Sequence, residues 1–226
     1  MTIELPGILA NLPWTLIGAQ MVMLHMAEAG APLGRTSADV DFLVDVRAVT
    51  GATADASARL AAAGFELSGR TPDERGMRFA RRGLHIDILA PDNLGRHART
   101  DTIDGARTIA VPGGTQALRR SQVVAVSMGG QTTPIPRPSL TGAILLKTRA
   151  VEVADNPGKH REDLVRLLGL VRDATAIRAE LSHAERGWLA RRTELQDARH
   201  PSWAAATNPE DAYLAFKILA SGHRQT

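Results

Sequence analysis

Apolar and polar positions follow two different periods in the first half of the chain. Short apolar runs and period-two alternation, typical of strands, are mixed with the three-to-four spacing of amphipathic helices. The predicted strands are 14–17, 39–46, 65–68, 77–81, 84–89 and 123–127. The strands 77–81 and 84–89 flank a turn at Arg82-Gly83 and are expected to form a hairpin. Helices are predicted from Ala19 to a stop at Gly30 and over 53–63. Such a mixture predicts an α/β or α+β domain with a mixed sheet and flanking helices.

The pattern changes towards the C-terminus. The segment GGQTTPIPRP (129–138) is rich in glycine and proline and is predicted as the boundary between two domains. Beyond it the apolar residues keep helical spacing. The predicted helices are 139–153, 159–172, 182–199 and 209–221. We therefore expect an α/β domain over 1–136 and a helical C-terminal domain over 137–226.

Three aspartates fall on predicted strands. Asp39 and Asp41 are two residues apart, so their side chains share one face of a strand, and Asp87 interrupts the apolar strand HIDILAP. Converging carboxylates repel unless a positive charge lies between them, and Mg²⁺ or Mn²⁺ prefers such oxygen ligands. The pattern predicts a metal site for phosphoryl or nucleotidyl transfer on these three aspartates. The alternative is ordinary strand ends or carboxylates paired with arginine; Asp45 is interpreted as structural.

The turn Gly18-Ala19 lies between the first predicted strand and the first helix. Backbone N–H groups at the start of a helix can bind a phosphate group. The alternative for Gly18 is a tight turn that only glycine adopts easily.

Composition narrows the chemistry further. The chain has 226 residues, no cysteine, 27 basic and 24 acidic side chains, and a net charge of +3. The lack of cysteine excludes disulfides, cysteine-ligated zinc and a thiol nucleophile. No run of ~18 apolar residues is present and the first residues do not resemble a signal peptide, so we expect a cytoplasmic protein without a membrane anchor. The small net charge argues against indiscriminate nucleic-acid binding.

The motifs together resemble a known family. The segment WTLIGAQMVMLHMAEAGAPLGRTSADVDFLVDV (14–46) is similar to the opening of bacterial nucleotidyltransferase-like proteins of the AbiEii/MenT group, in the DNA polymerase β-like superfamily. The matching positions are Gly18-Ala19, Arg35-Thr36 and Asp39-Val40-Asp41. GLHIDILAP resembles the family strand that carries the third carboxylate, here Asp87.

The resemblance extends into the helical part, through LLKTRAV and KHREDLVRLL, and covers most of 14–170. It implies that Lys147 reaches the nucleotide phosphates and that Asp163 is the acidic residue of the next helix. The catalytic residues implied are Asp39, Asp41, Asp87, Lys147 and Asp163. The nucleotide-binding residues implied are Gly18, Ala19, Arg35, Thr36, Ser37, Lys147 and Lys159. The resemblance does not explain residues 171–226.

The family implies an activity and its partners. The expected enzyme uses Mg²⁺ to transfer a nucleotide from a nucleoside triphosphate (NTP) to an acceptor, with tRNA as the expected acceptor. It would be the toxin of a toxin–antitoxin pair, with an antitoxin protein as partner. Two alternatives stay open at this point: transfer to a small molecule of the antibiotic type, and a non-catalytic member of the fold that binds nucleotide, RNA or protein.

Overall fold

The computed structural model of the chain describes residues 4–34, 37–68, 75, 77–95, 98–153 and 156–222. The chain divides into two compact units. The first unit is Met1–Met21 with Thr36–Ser139, and the second is Val22–Arg35 with Leu140–Thr226. Among the described residues, no helix has the length and apolar character needed to span a membrane.

The first unit is built from eight strands and four helices within its described residues. The strands are β1 Trp14–Ile17, β2 Asp39–Val44, β3 Glu66–Leu67, β4 Arg78–Arg81, β5 Leu84–Pro91, β6 Ile109–Val111, β7 Ser121–Met128 and β8 Gln131–Pro138. The helices are α1 Leu5–Ile8, α2 Gly18–Glu28, which continues into the second unit, α3 Ala52–Ala62 and α4 Gly114–Arg119. A short 3₁₀ turn covers Ile103–Gly105.

Strand β5 is at the centre of the main sheet, whose order is β1-β2-β5-β4-β3, with β6 also paired to β5. β5 runs parallel to β2 and β6 and antiparallel to β4, and β1 runs antiparallel to β2. Its side chains Ile86 and Ile88 are fully buried, as expected for a central strand. Helix α3 packs on β2 and β5 through small and apolar residues such as Leu60. The prediction of a mixed α/β sheet with flanking helices is confirmed.

The predicted hairpin between β4 and β5 is also confirmed. Its two-residue turn consists of Arg82 and Gly83, with φ of 51° and 77°. Positive φ at both central residues gives the turn a twist that matches the two strands it joins. The turn fixes the register, in which Arg78 lies opposite Asp87.

Within the predicted boundary segment, residues 131–138 form β8, which pairs antiparallel with β7, and the first unit ends directly after it at Ser139. The glycines 129 and 130 make the turn between them, with φ of 58° and 80°. Prolines 134, 136 and 138 occupy alternate positions. Alternate residues direct their N–H groups to the same edge, so the prolines remove donors from one edge only and leave the other to pair.

The second unit is helical. Its helices are α5 Leu140–Ala150, α6 Pro157–Leu168, α7 Ala174–Glu180, α8 His183–Ala190 and α9 Pro209–Ala220, with 3₁₀ turns at Thr193–Gln196 and Pro201–Ala205. The Trp203 ring meets the Tyr213 ring edge-on at 5.4 Å and lies at 59° to the Phe216 ring at 5.8 Å, measured between ring centroids. These contacts pack α9 on the 3₁₀ turn that carries Trp203.

The predicted helix over 182–199 is wrong in its second half. Helix α8 ends at Ala190, and Arg192 leaves the helical region with φ −79° and ψ 64°. The break allows Arg192 to donate to the carboxylate of Glu152 at 3.1 Å and Leu195 to become fully buried. These tertiary contacts override the helical spacing of the sequence. Helix α7 was not predicted.

Candidate active site

The strand register brings two of the predicted aspartates together. In the parallel pair of β2 and β5, Asp41 lies directly opposite Asp87, and Asp39 lies opposite His85. Residues in direct register project to the same face of a sheet, and positions two apart on one strand do so as well. Asp39, Asp41 and Asp87 therefore project from the same face of the first unit.

The turn before α2 lies against one of these carboxylates. Gly18 has φ +69°, and a Cβ placed on it would be 1.9 Å from Oδ2 of Asp41. A Cβ at this position would displace the Asp41 carboxylate, so glycine is favoured both by the backbone conformation and by the space that Asp41 occupies. The turn and the aspartate pair, which were predicted from separate motifs, are in contact.

A second contact links this turn to the segment before β2. The side-chain amide of Gln20, in the first turn of α2, donates to the carbonyl oxygen of Ser37. Ala19 is buried. The predicted nucleotide-binding residues Gly18, Ala19 and Ser37 therefore lie close together. Arg35 and Thr36 lie outside the described residues.

Asp87 is engaged by an arginine that was not predicted. Nε of Arg78 donates to Oδ1 of Asp87 at 2.8 Å and Nη2 donates to Oδ2 at 2.8 Å. The Asp87 side chain is 11% exposed and that of Arg78 is 43% exposed. The pKa of Arg78 is raised, first by the hydrogen bond to Asp87 and also by the charges of Asp87, Asp39 and Asp41, while burial opposes the rise. The guanidinium therefore interacts with all three carboxylates.

Asp39 has a different partner, His85. Nδ1 of His85 lies 3.2 Å from Oδ1 of Asp39, and both side chains are partly exposed. Both residues are in direct register, so the contact is made across the two strands. This places His85 next to a predicted metal ligand, although the sequence alone did not assign it a role.

The arrangement of the three carboxylates can be compared with what a metal site requires. Among the described residues, no group of three or more His, Cys, Asp or Glu side chains is arranged so that it could hold a metal ion. Asp39 and Asp41 offer the carboxylate oxygens that Mg²⁺ or Mn²⁺ prefers. Both oxygens of Asp87 accept from Arg78 but keep further lone pairs. Its role as a third ligand stays a prediction.

The second unit joins Lys147 and Asp163. Nζ of Lys147 donates to Oδ2 of Asp163 at 2.9 Å, and each side chain is 3% exposed. Nη1 of Arg166 lies 3.5 Å from the other oxygen of Asp163, and the Arg166 guanidinium packs on Gly34. Lys159 is exposed. The ammonium of Lys147 is thus committed to a buried ion pair, and its predicted contact with phosphate stays a prediction.

The sequence patterns did not indicate the roles of Arg78, Gln20 and Arg166. A signal for Arg78 existed: counting back from the predicted turn at 82–83 places residue 78 opposite residue 87. The Gln20 and Arg166 contacts depend on loop geometry, which neither period nor composition encodes.

The comparisons with known proteins agree with this fold. No protein-family model matches the chain, and no curated protein sequence does. The chain is similar to the crystal structure of an antigenic nucleotidyltransferase-like protein from Paracoccidioides brasiliensis, with 13% identity, a TM-score of 0.50, and coverage of 86% of this chain and 87% of that one. A weaker similarity is to ANT(2")-Ia in complex with adenylyl-2"-tobramycin, with 16% identity, a TM-score of 0.46, and coverage of 84% and 94%. The first similarity shows that the chain has a nucleotidyltransferase-like fold.

Replacing Gly18 with alanine tests the contact between the turn and Asp41. We expect Gly18→Ala to lower the free energy of unfolding by more than about 2 kcal/mol, because it adds a steric overlap to the cost of a positive φ. Gly83→Ala is the matched control, because Gly83 has φ +77° and no atom lies within 4 Å of its added Cβ. Urea unfolding measures both. Equal losses in the two variants would contradict the contact.

A double-mutant cycle tests the buried pair. Lys147→Met is expected to cost about 3 kcal/mol in unfolding free energy, because it removes the ammonium group 2.9 Å from a buried carboxylate. Lys147→Met/Asp163→Asn should cost at least about 1 kcal/mol less than the sum of the single losses. Lys159→Met, at an exposed lysine, should change stability by less than about 0.5 kcal/mol. Additive losses would show that the pair contributes no coupling.

Proposed function

We propose that the chain is a nucleotidyltransferase that moves a nucleotide from an NTP to a hydroxyl of an acceptor. The observation that carries the proposal is the position of Asp41, whose carboxylate lies against the Gly18 turn and opposite Asp87 in register. This arrangement places acidic groups beside a helix start on a nucleotidyltransferase-like fold. A fold alone does not define a function, so the proposal depends on these side chains.

The proposed reaction needs little covalent chemistry from the protein. The acceptor oxygen forms a bond to the α-phosphorus, the bond between that phosphorus and the bridging oxygen to the β-phosphate breaks, and pyrophosphate leaves. Asp39 and Asp41 would hold Mg²⁺ or Mn²⁺, which neutralises phosphate charge when bound. The N–H groups of Gly18 and Ala19 would orient the phosphates, and Asp87 would accept the hydroxyl proton.

The sequence resemblance over 14–170 supports a narrower proposal. The acceptor would be RNA, with a tRNA 3′ end as the leading candidate, and the protein would be the toxin of a pair that includes an antitoxin protein. In this proposal Lys147 contacts the phosphates and stabilises the charge that develops during transfer. The near-neutral net charge favours a local acceptor site over general RNA binding.

Label transfer tests the proposed activity. Protein incubated with labelled NTPs, Mg²⁺ and total tRNA should transfer label, and Asp41→Asn should reduce the rate roughly a hundred-fold or more, as expected for loss of a group that stabilises phosphate charge. Asp45→Asn is the matched control. Asp45 follows the same strand, but its carboxylate accepts from the backbone N–H groups of Arg47 and Ala48 in a turn.

The outcomes separate the open alternatives. Label on tRNA that depends on Asp41 but not on Asp45 supports RNA nucleotidyl transfer. Transfer to an aminoglycoside, tested in the same assay in place of tRNA, would replace the RNA acceptor with a small molecule. Transfer that survives Asp41→Asn contradicts the assignment of the site, and the absence of transfer to either acceptor favours a non-catalytic binding protein.

Growth of bacteria that express the chain tests the toxin proposal. Induction of the wild-type chain should arrest growth, and Asp41→Asn should restore it, while Asp45→Asn should remain toxic at equal protein level. Asp41 is a better choice than Lys147, because loss of Lys147 also breaks a buried ion pair. Equal growth with the wild type and with Asp41→Asn would contradict the proposal.

A further inference from the structure

Arg78 places a positive charge on the face that carries the three carboxylates. It lies directly opposite Asp87 in β4, and Asp87 in turn lies opposite Asp41 in β2. Arg78 thus follows the two aspartates in one row across three neighbouring strands. Like charges placed opposite each other destabilise a sheet, and a cation at the end of the row relieves this repulsion.

The contact with Asp87 is of the strongest type that an arginine makes. The planar guanidinium gives two hydrogen bonds of 2.8 Å, one to each carboxylate oxygen. Such a fork fixes the orientation of a carboxylate as well as neutralising its charge. Asp87 cannot rotate without breaking both bonds.

The field of Arg78 also extends past Asp87. Asp41 is the next residue along the row, and Asp39 lies two positions before it on the same face of β2. Unlike charges attract over several ångströms, so the guanidinium of Arg78 attracts these two carboxylates as well. It therefore opposes any second cation that binds to them.

We propose that Arg78 is a positioning residue of the carboxylate site, which orients Asp87 through two hydrogen bonds and is the built-in counter-charge against which a divalent cation binds to Asp39 and Asp41. This inference rests on the metal site of the proposed function. The free protein then holds a divalent cation weakly, and the cation binds tightly only together with the negative charge of a triphosphate.

Titration of Mn²⁺, followed by the electron paramagnetic resonance of free Mn²⁺ without nucleotide, tests the proposal. A neighbouring unit charge shifts an ionisation equilibrium by about 1–3 pKa units, so Arg78→Gln should bind Mn²⁺ at least about ten-fold more tightly than the wild type. Arg78→Lys keeps the charge and should stay within about three-fold of the wild type. Arg82→Gln, at the exposed hairpin turn, should not change the affinity. Arg78→Gln/Asp41→Asn should lose the gain.

Stability of the variants is controlled separately. Circular dichroism checks that Arg78→Gln folds, since it leaves Asp87 without its main partner. Should it not fold, Arg78→Gln/Asp87→Asn removes both halves of the pair, and its Mn²⁺ affinity is compared with that of Asp87→Asn alone. The same ten-fold gain is expected.

Equal or weaker Mn²⁺ binding after loss of Arg78, including no binding by either protein, would overturn the inference. The nucleotidyl-transfer assay of the wild type is the separate readout of the proposed function. Transfer activity with unchanged Mn²⁺ affinity in Arg78→Gln rejects the role of Arg78 and leaves the function standing. Tighter Mn²⁺ binding by Arg78→Gln, without nucleotidyl transfer by the wild type, supports the role of Arg78 and rejects the proposed function.

Discussion

The parallel pairing of β2 with β5 is the constraint on which the candidate site depends. Side chains alternate between the two faces of a strand. A slip of the register by one residue would therefore turn Asp41 and Asp87 to opposite faces and expose the apolar residues next to them. The buried neighbours Phe42 and Ile88 prevent such a slip, since both are fully buried in the observed register. The hydrophobic core thus determines which polar groups lie opposite each other. The Gly18 turn completes the candidate site, because glycine leaves room for the Asp41 carboxylate.

Charge balance is the second constraint. Asp87 lies in a buried strand and is paired with Arg78, and Asp163 lies in a buried part of the helical unit and is paired with Lys147. A buried ion pair gains little over an apolar pair of similar shape, and losing one partner costs several kcal/mol. Loss of activity in a variant of either pair consequently needs a measurement of folding beside it.

Sequence periodicity predicted the central part of the fold because its signals are local. Strand β2, the hairpin turn and the glycine before α2 each follow from alternation or from a required backbone conformation. Strand β8 was not predicted, because proline content says nothing about which edge of a strand loses its donors. The extent of α8 and the roles of Gln20 and Arg166 depend on tertiary contacts that a single sequence does not encode. Arg78 could have been found, since the predicted turn already implied its position opposite Asp87.

The proposed function requires that a divalent cation and a triphosphate meet at Asp39, Asp41 and Asp87. Paramagnetic broadening of ¹⁵N-labelled protein by substoichiometric Mn²⁺ with a non-hydrolysable NTP measures this most directly, because the effect is confined to amides near the bound ion. We expect the amides of these three residues and of Gly18 to broaden first. Broadening centred on the opposite ends of the same strands, at Asp45 and Asp92, would contradict it.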